Sequence, residues 1–331
     1  MRDRRTYRAA VDSAGGCETY ASYSKYRSDL VDRFWDYVQE TGIPPRALEL
    51  RREDNPHRPP VLVDSEWERN LILPPGNSRR DFLTALKGKP RHRWFRSMTS
   101  SQSLAWSVFG SLSALGRLSL LAGLIPGIRG GSTCDLEYDV DYLGERRHTS
   151  VDVMLRAGPG IRVAVECKLS ESDIGTCSRP RLRSTDDTYA DEYCDGSYCP
   201  QLRRRERCSL TEIEVHYWRH LANLTTWRTE SNLAPCPLRR TYQLARNVMA
   251  ASVEKNGESY LATGACVLLV DSRNPAFGVD GKGRRAFDCL GSSLRNPASL
   301  RMTTWQSVAG RLRTDGKLTW LVDGLRLKYG L

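Results

Sequence analysis

Residues 149–170 read TSVDVMLRAGPGIRVAVECKLS, a segment with few stable ways to fold. Two runs that alternate between apolar and polar residues, 149–156 and 161–169, flank Gly158-Pro159-Gly160. This arrangement predicts a β-hairpin. Side chains on a strand point to opposite faces in turn. Val163, Val165 and Cys167 therefore share one face, and Ala164, Glu166 and Lys168 the other. In the first run Val151, Val153 and Leu155 form the apolar face, which leaves Asp152 and Met154 opposite. With the hairpin in register, Asp152 approaches Glu166 and Lys168.

That trio has a chemistry. Two carboxylates in an oxygen-only environment suit Mg²⁺, which takes one or two carboxylates, several waters and a phosphate oxygen. Such an ion lowers the pKa of a bound water and offsets charge developing on a phosphate. A neighbouring lysine orients the water or neutralises the charged intermediate. A Glu-x-Lys triplet by itself arises about once by chance in a chain this long. An ordinary ribbon with a solvated polar face shares the pattern, and the acid on the preceding strand is what favours a site.

The charge balance points the same way. The chain of 331 residues carries a formal net charge of +11, and such an excess favours nucleic acid or another polyanion as partner. Most of the positive charge is Arg, so Lys168 is one of few lysines. The first residues are basic but lack the apolar core of a secretory signal. The expectation is a cytoplasmic protein whose ten cysteines are mostly thiols. Residues 104–126 are apolar, but Arg117, several serines and helical spacing argue for a core helix rather than a membrane span.

In the N-terminal part, Leu30, Phe34, Tyr37 and Val38 share one face of a predicted helix over 26–40, and residues 51–60 read as a surface loop. Leu104, Val108, Leu112 and Leu115 keep helical spacing, with Ser100 or Ser101 as the cap. Residues 134–143 alternate, and their acids Asp135, Glu137, Asp139 and Asp141 read as a solvated face, with a contribution to a metal site as the alternative. Residues 171–207 are irregular and look like an insertion. Cys177, Cys194, Cys199 and Cys208 there read as thiols, since no C-x₂-C pair supports Zn²⁺ or an iron–sulfur cluster. Arg203, Arg204, Arg205 and Arg207 suit phosphate contacts or a solvated loop equally.

Ser209 to Glu212 has capping-box spacing and predicts a helix reaching Leu224. A second helix is expected over 240–255, with Gln243 and Asn247 one turn apart on one face. The run ACVLLV, ending at Val270, reads as a buried strand. Residues 299–313 and 318–331 read as two helices.

The resulting order, helix, three strands, insertion, helices, buried strand, resembles the PD-(D/E)xK nuclease superfamily over about 99–271, at Asp152, Glu166 and Lys168. The strings RNLILPPG, SSQSLAWSVFG, RCSLTEIEVHYW and KYGL look like those of bacterial restriction-endonuclease-like proteins of undefined specificity. The resemblance implies an α/β fold with an α-β-β-β-α-β core and a mixed central sheet flanked by helices. It would divide the chain into a helical or irregular extension (1–98), a core (99–275) with an insertion (171–208), and a helical C-terminal extension (276–331).

It also implies a Mg²⁺-dependent nuclease, with Mn²⁺ as substitute, acting on DNA. Asp152 and Glu166 would hold the metal with the Cys167 carbonyl, Lys168 would position the attacking water, and Gln243 would support the site. Partners implied are nucleic acid and no membrane, with a homodimer left open. Two departures stand out: Val151 occupies the motif's proline position, and Gln102 or Ser107 occurs where many members have a helical glutamate. The rival readings are a nucleic-acid-binding protein on the same fold without turnover, and a cysteine-cluster metal module whose Arg-rich insertion docks a protein. No GxxxxGK[ST] loop for ATP is present.

Overall fold

The structure is a computed structural model that describes residues 20–146, 148–158, 160–201, 204–261 and 263–331. The first helix, α1 (Tyr23–Glu40), is capped by the Ser22 hydroxyl accepting from Lys25 N and buries Tyr26, Leu30, Phe34 and Val38. After α2 (Ser78–Leu86), Ser100 caps α3 (Ser101–Ala105) by accepting from Ser103 N. The helix continues through a π-turn (Trp106–Gly110) into α4 (Ser111–Ala114). Gly110 lies where a Cβ would come 2.7 Å from the Phe82 ring, so this turn needs a residue without a side chain.

The chain then builds β1 (Thr133–Val140), β2 (Thr149–Arg156) and β3 (Arg162–Cys167). The hairpin forms as expected, with Arg156 opposite Arg162. Gly158 and Gly160, at φ 94° and 74°, supply left-handed conformations that a side chain disfavours. β3 is shorter than the 161–169 run, because the chain turns away after Cys167.

Beyond the insertion come α5 (Tyr217–Leu224), α6 (Leu238–Ser252), β4 (Ala265–Val270), α7 (Lys282–Gly291), β5 (Leu300–Thr304), α8 (Trp305–Leu312) and α9 (Thr319–Tyr329). The five strands form one mixed sheet in sequence order. β1, β2 and β3 pair antiparallel, and β3, β4 and β5 parallel. All residues of β4 are buried, as befits a strand covered on both faces. Val163, Val165 and Cys167 pack with α1, α3, α8 and α9, while Ala164 and Cys266 pack with α5, α6 and α7. The architecture is a mixed α/β sheet flanked by helices.

Two helix readings are corrected. Residues 300–304, expected to open a helix, form β5, because Leu300 and Met302 pack into the second core with period two while β4 offers a parallel edge. The helix expected from Ser209 to Leu224 is broken: one turn (Ser209–Glu212) stops at Glu214, φ 67°. His216 N donates to Leu143 O there, and the Glu214 carbonyl crowds Gly144, so packing on this loop overrides the helical spacing. No helix of the described residues is long and apolar enough to cross a membrane.

Candidate active site

The hairpin opens at Asp152. Its paired register stops at Val153 opposite Val165, and beyond that point the Cys167 N–H donates to Asp152 Oδ2 at 2.8 Å. A carboxylate thus replaces a backbone carbonyl as the ladder's next acceptor. On the other side, Glu137 of β1 has φ 48°, between the pairs Leu136–Val153 and Tyr138–Val151. The distortion switches faces. Val153 and Leu155 pack in the first core, whereas Val151 packs in the second with Met154. The single apolar face expected for Val151, Val153 and Leu155 is therefore corrected.

Glu166, 1% exposed, is held on both oxygens. Its Oε1 accepts from Gln243 Nε2 at 2.7 Å and lies 2.9 Å from Lys168 Nζ. Its Oε2 accepts from Asn247 Nδ2 at 2.6 Å. Lys168 Nζ also donates to Gln243 Oε1 at 3.1 Å. Gln243 and Asn247 lie one turn apart on α6, so one helix face grips the strand's carboxylate. The main chain at Lys168 is pinned as well: its carbonyl accepts from Trp305 Nε1 at 3.0 Å and its N–H donates to Leu269 O at 2.8 Å.

Sequence reasoning grouped Glu137 with the solvated acids of β1. The structure separates them. Asp135 pairs with Arg156 and Asp139 with His148, whereas Glu137 turns inward to Trp106 Nε1 and the Ser150 hydroxyl. Glu137 thus lies at the site where a helical glutamate was missed. Ser107 instead accepts from Ile72 N in the core, and Gln102 bonds the backbone of His92 and Pro90.

The charges are unbalanced. Burial, then Glu166 and Glu137, push the Asp152 carboxyl well above its usual range. Burial outweighs the hydrogen bonds from Gln102, Ser150 and Trp106 and, with Glu166, pushes Glu137 up to about 6. For Lys168 burial opposes the charge, but Glu166, Glu171 and Asp152 overcome it and raise its pKa. Lys168 therefore stays protonated at neutral pH. Oxygen donors beside a carboxylate excess are a fit for Mg²⁺. Among the described residues no group of three or more His, Cys, Asp or Glu is arranged to hold a metal ion. Mg²⁺ asks for fewer protein ligands than that, because waters and phosphate oxygens complete its octahedron.

The Glu137 shift makes a measurable prediction. A carboxyl raised from 4.5 to about 6 on folding binds more protons in the folded state between those values, so its ionisation opposes folding as pH rises through that window. Glu137→Gln should stabilise the metal-free protein by about 1–2 kcal/mol at pH 8. The gain should vanish below about pH 4. Urea unfolding in EDTA at both pH values checks this, and no gain at pH 8 would mean that burial does not raise the Glu137 carboxyl on folding.

The arginines described in the insertion bond to other groups, although Glu171 and Gly175 of the same segment lie beside Lys168 and Gln243. Arg203 falls outside the described residues. The Arg204 guanidinium donates to Asp191 O and Ala190 O, Arg207 to Asn232 Oδ1, and the exposed Arg205 uses its backbone N–H on Glu212. Cys177, Cys194 and Cys208 line one small cavity with Cys236, which comes from beyond the insertion, and Cys199 is not among its lining residues. All four are free thiols. Burial pushes Cys177 up to about 11 and Cys236 up to about 12. Since no three of the described cysteines are arranged to hold a metal ion, elemental analysis should find no stoichiometric zinc or iron. One metal per chain, lost on Cys236→Ser, would overturn that.

No curated protein and no solved structure matches the chain. Residues 48–330 match the family described as restriction endonuclease associating with ARP. These residues span every strand of the sheet and all the side chains gathered around Glu166, and the chain belongs to that restriction-endonuclease family.

Proposed function

We propose that the protein is a Mg²⁺-dependent nuclease that hydrolyses phosphodiester bonds in DNA. The observation that carries this reading is the meeting of Asp152, Glu166 and Lys168 where the hairpin opens, with a carboxylate excess that a cation would relieve. Family membership supports a nuclease, and the net charge of +11 suits a polyanionic substrate.

Asp152 and Glu166, with the Cys167 carbonyl, would hold the ion. When bound, Mg²⁺ would lower the pKa of a water and offset charge on the phosphate. Gln243 and Asn247 set the rotamer of Glu166 before substrate arrives, so little reorganisation is left for the reaction. Lys168 acts as a fixed cation and donor, since a lysine kept protonated by its carboxylate neighbours is no general base. It stands between Glu166 Oε1 and Gln243 Oε1, close enough to Asp152 to feel its charge.

The test is incubation of the purified chain with plasmid and oligonucleotide DNA in Mg²⁺, Mn²⁺ or EDTA. Cleavage with either metal and none in EDTA is expected. Absence of cleavage in both metals, with DNA still bound, would give the lead to a nucleic-acid-binding protein without turnover.

A further inference from the structure

Resting on the nuclease reading, and deepening it, we propose that the loop over residues 87–96 is the nucleic-acid contact element beside the site, with its cations on phosphates and Trp94 stacking on an unpaired base. The loop reads KGKPRHRWFR, with Lys87, Lys89, Arg91, Arg93 and Arg96 and no acid. Arg96 is neutralised by Glu49. Lys87, Lys89, Arg91 and Arg93 form no ion pair with another described residue. A run of uncompensated cations repels itself and gains from a polyanion.

Trp94 is 58% exposed. This is unusual for a side chain that dominates burial energetics in cores and interfaces, and its exposure is built in. The next residue, Phe95, is 1% exposed and packs against Trp106. Phe95 O and Ser97 O accept from Asn70 Nδ2, Leu62 N donates to Arg96 O, and Met98 N to Pro60 O. Two turns, Phe95 N to His92 O and Ser97 N to Trp94 O, fix the backbone between these anchors. Arg93 lies 5.1 Å from the centroid of the exposed Trp94 ring, and Arg91 4.6 Å from that of Trp67, which is half-buried against Phe95. Cations beside exposed aromatic rings recur where single strands are bound, because stacking accepts any base and the cations follow the backbone.

The loop is attached to the site. Gln102 Oε1 accepts from His92 N at 2.9 Å and its Nε2 donates to Pro90 O at 3.1 Å, while the same amide faces Glu137. Ser101, next to Gln102, donates to Glu171 Oε1, and Glu171 Oε2 in turn accepts from Leu169 N beside Lys168. A strand lying along this loop would therefore lie beside the segment that carries Lys168.

The experiment measures fluorescence anisotropy of fluorescein-labelled single-stranded and blunt duplex DNA in EDTA, across a KCl series. It compares wild type, Trp94→Ala, and the combined Lys87→Ala, Lys89→Ala, Arg91→Ala and Arg93→Ala variant. The combined variant should flatten the log-log salt slope by about 0.7 per lost contact on single strands and about 0.9 on duplex. Trp94→Ala should weaken single-strand binding roughly tenfold, with a smaller loss on blunt duplex. Thermal unfolding should change little, since Lys87, Arg91, Arg93 and Trp94 are exposed and Lys89 is half-buried. Wild-type binding with unchanged slope and affinity in both variants would overturn the loop assignment and leave the nuclease reading intact. No binding of either DNA by wild type would overturn both.

Discussion

Lys168→Ala should lower DNA cleavage by roughly 10²–10³-fold, the usual loss when one group stabilising developing charge is removed from a water-poor site. The lysine is 8% exposed, and its ammonium sits between Glu166 Oε1 and Gln243 Oε1. Removing it leaves Glu166 bonded to Gln243 and Asn247, so the strand and helix remain joined. DNA affinity should stay within a few-fold, because loss of an interaction made in the transition state lowers turnover and not ground-state binding. Asp152→Asn should lose activity on a similar scale. It should bind DNA in EDTA at least as well as wild type, since the substitution adds no charge and removes whatever negative charge the raised Asp152 carboxyl retains without metal. Glu166→Gln also removes a charge, but its new amide group meets the donors of Gln243 and Asn247, so it should lose some stability as well as activity. Equal cleavage by all three variants and wild type in single-turnover assays would show that the reaction occurs elsewhere.

Asp271→Ala should destabilise the protein by about 3–5 kcal/mol, the range for removing one partner of a buried ion pair. Asp271 is 0% exposed at the end of β4. It accepts from Arg273 N, Nε and Nη2 at 2.9, 2.9 and 2.6 Å, from Gln306 Nε2 at 2.7 Å and from the Tyr26 hydroxyl at 3.1 Å. Burial pushes this carboxyl up, but the Arg273 contacts more than offset it and the pKa ends below the usual 3.8. A depressed carboxyl contributes stability that is present above pH 3.8 and is lost as pH falls through the folded value. The gap between wild type and variant in urea unfolding should therefore be full at pH 7 and shrink in acid below pH 4. A gap under about 1 kcal/mol at pH 7 would mean that water takes over the Arg273 contacts. The brace also bears on the site. Tyr26 donates to Leu169 O as well, and Asn274 Nδ2 bonds the same carbonyl, directly after Lys168. Cleavage should consequently fall in Asp271→Ala even where the protein remains folded.

The hairpin was legible because its information is local. Period-two alternation put Glu166 opposite the face of Val163, Val165 and Cys167, and the glycines marked the turn. The α1 stripe, the Ser100 cap and the buried run of β4 were readable for the same reason. Gln243 and Asn247 shared a helix face by spacing alone, but nothing in spacing says that both amides point at Glu166.

What the chain's local pattern left open is what depends on distant partners. Glu137 looks like its neighbours Asp135 and Asp139, and its inward turn follows from a positive φ opposite Asp152 and from Trp106 on a different element. Residues 300–304 could serve a helix or a strand until the edge of β4 claimed them. The helix from Ser209 broke because Leu143 and Gly144 pack against its second turn. Cys236 joins Cys177, Cys194 and Cys208 across segments that no local rule connects. Strand and helix periodicity is a property of neighbouring residues and is written in the sequence. The charge state of a carboxylate and the register of an edge strand are set by groups that only folding brings near, and those the tertiary structure decided.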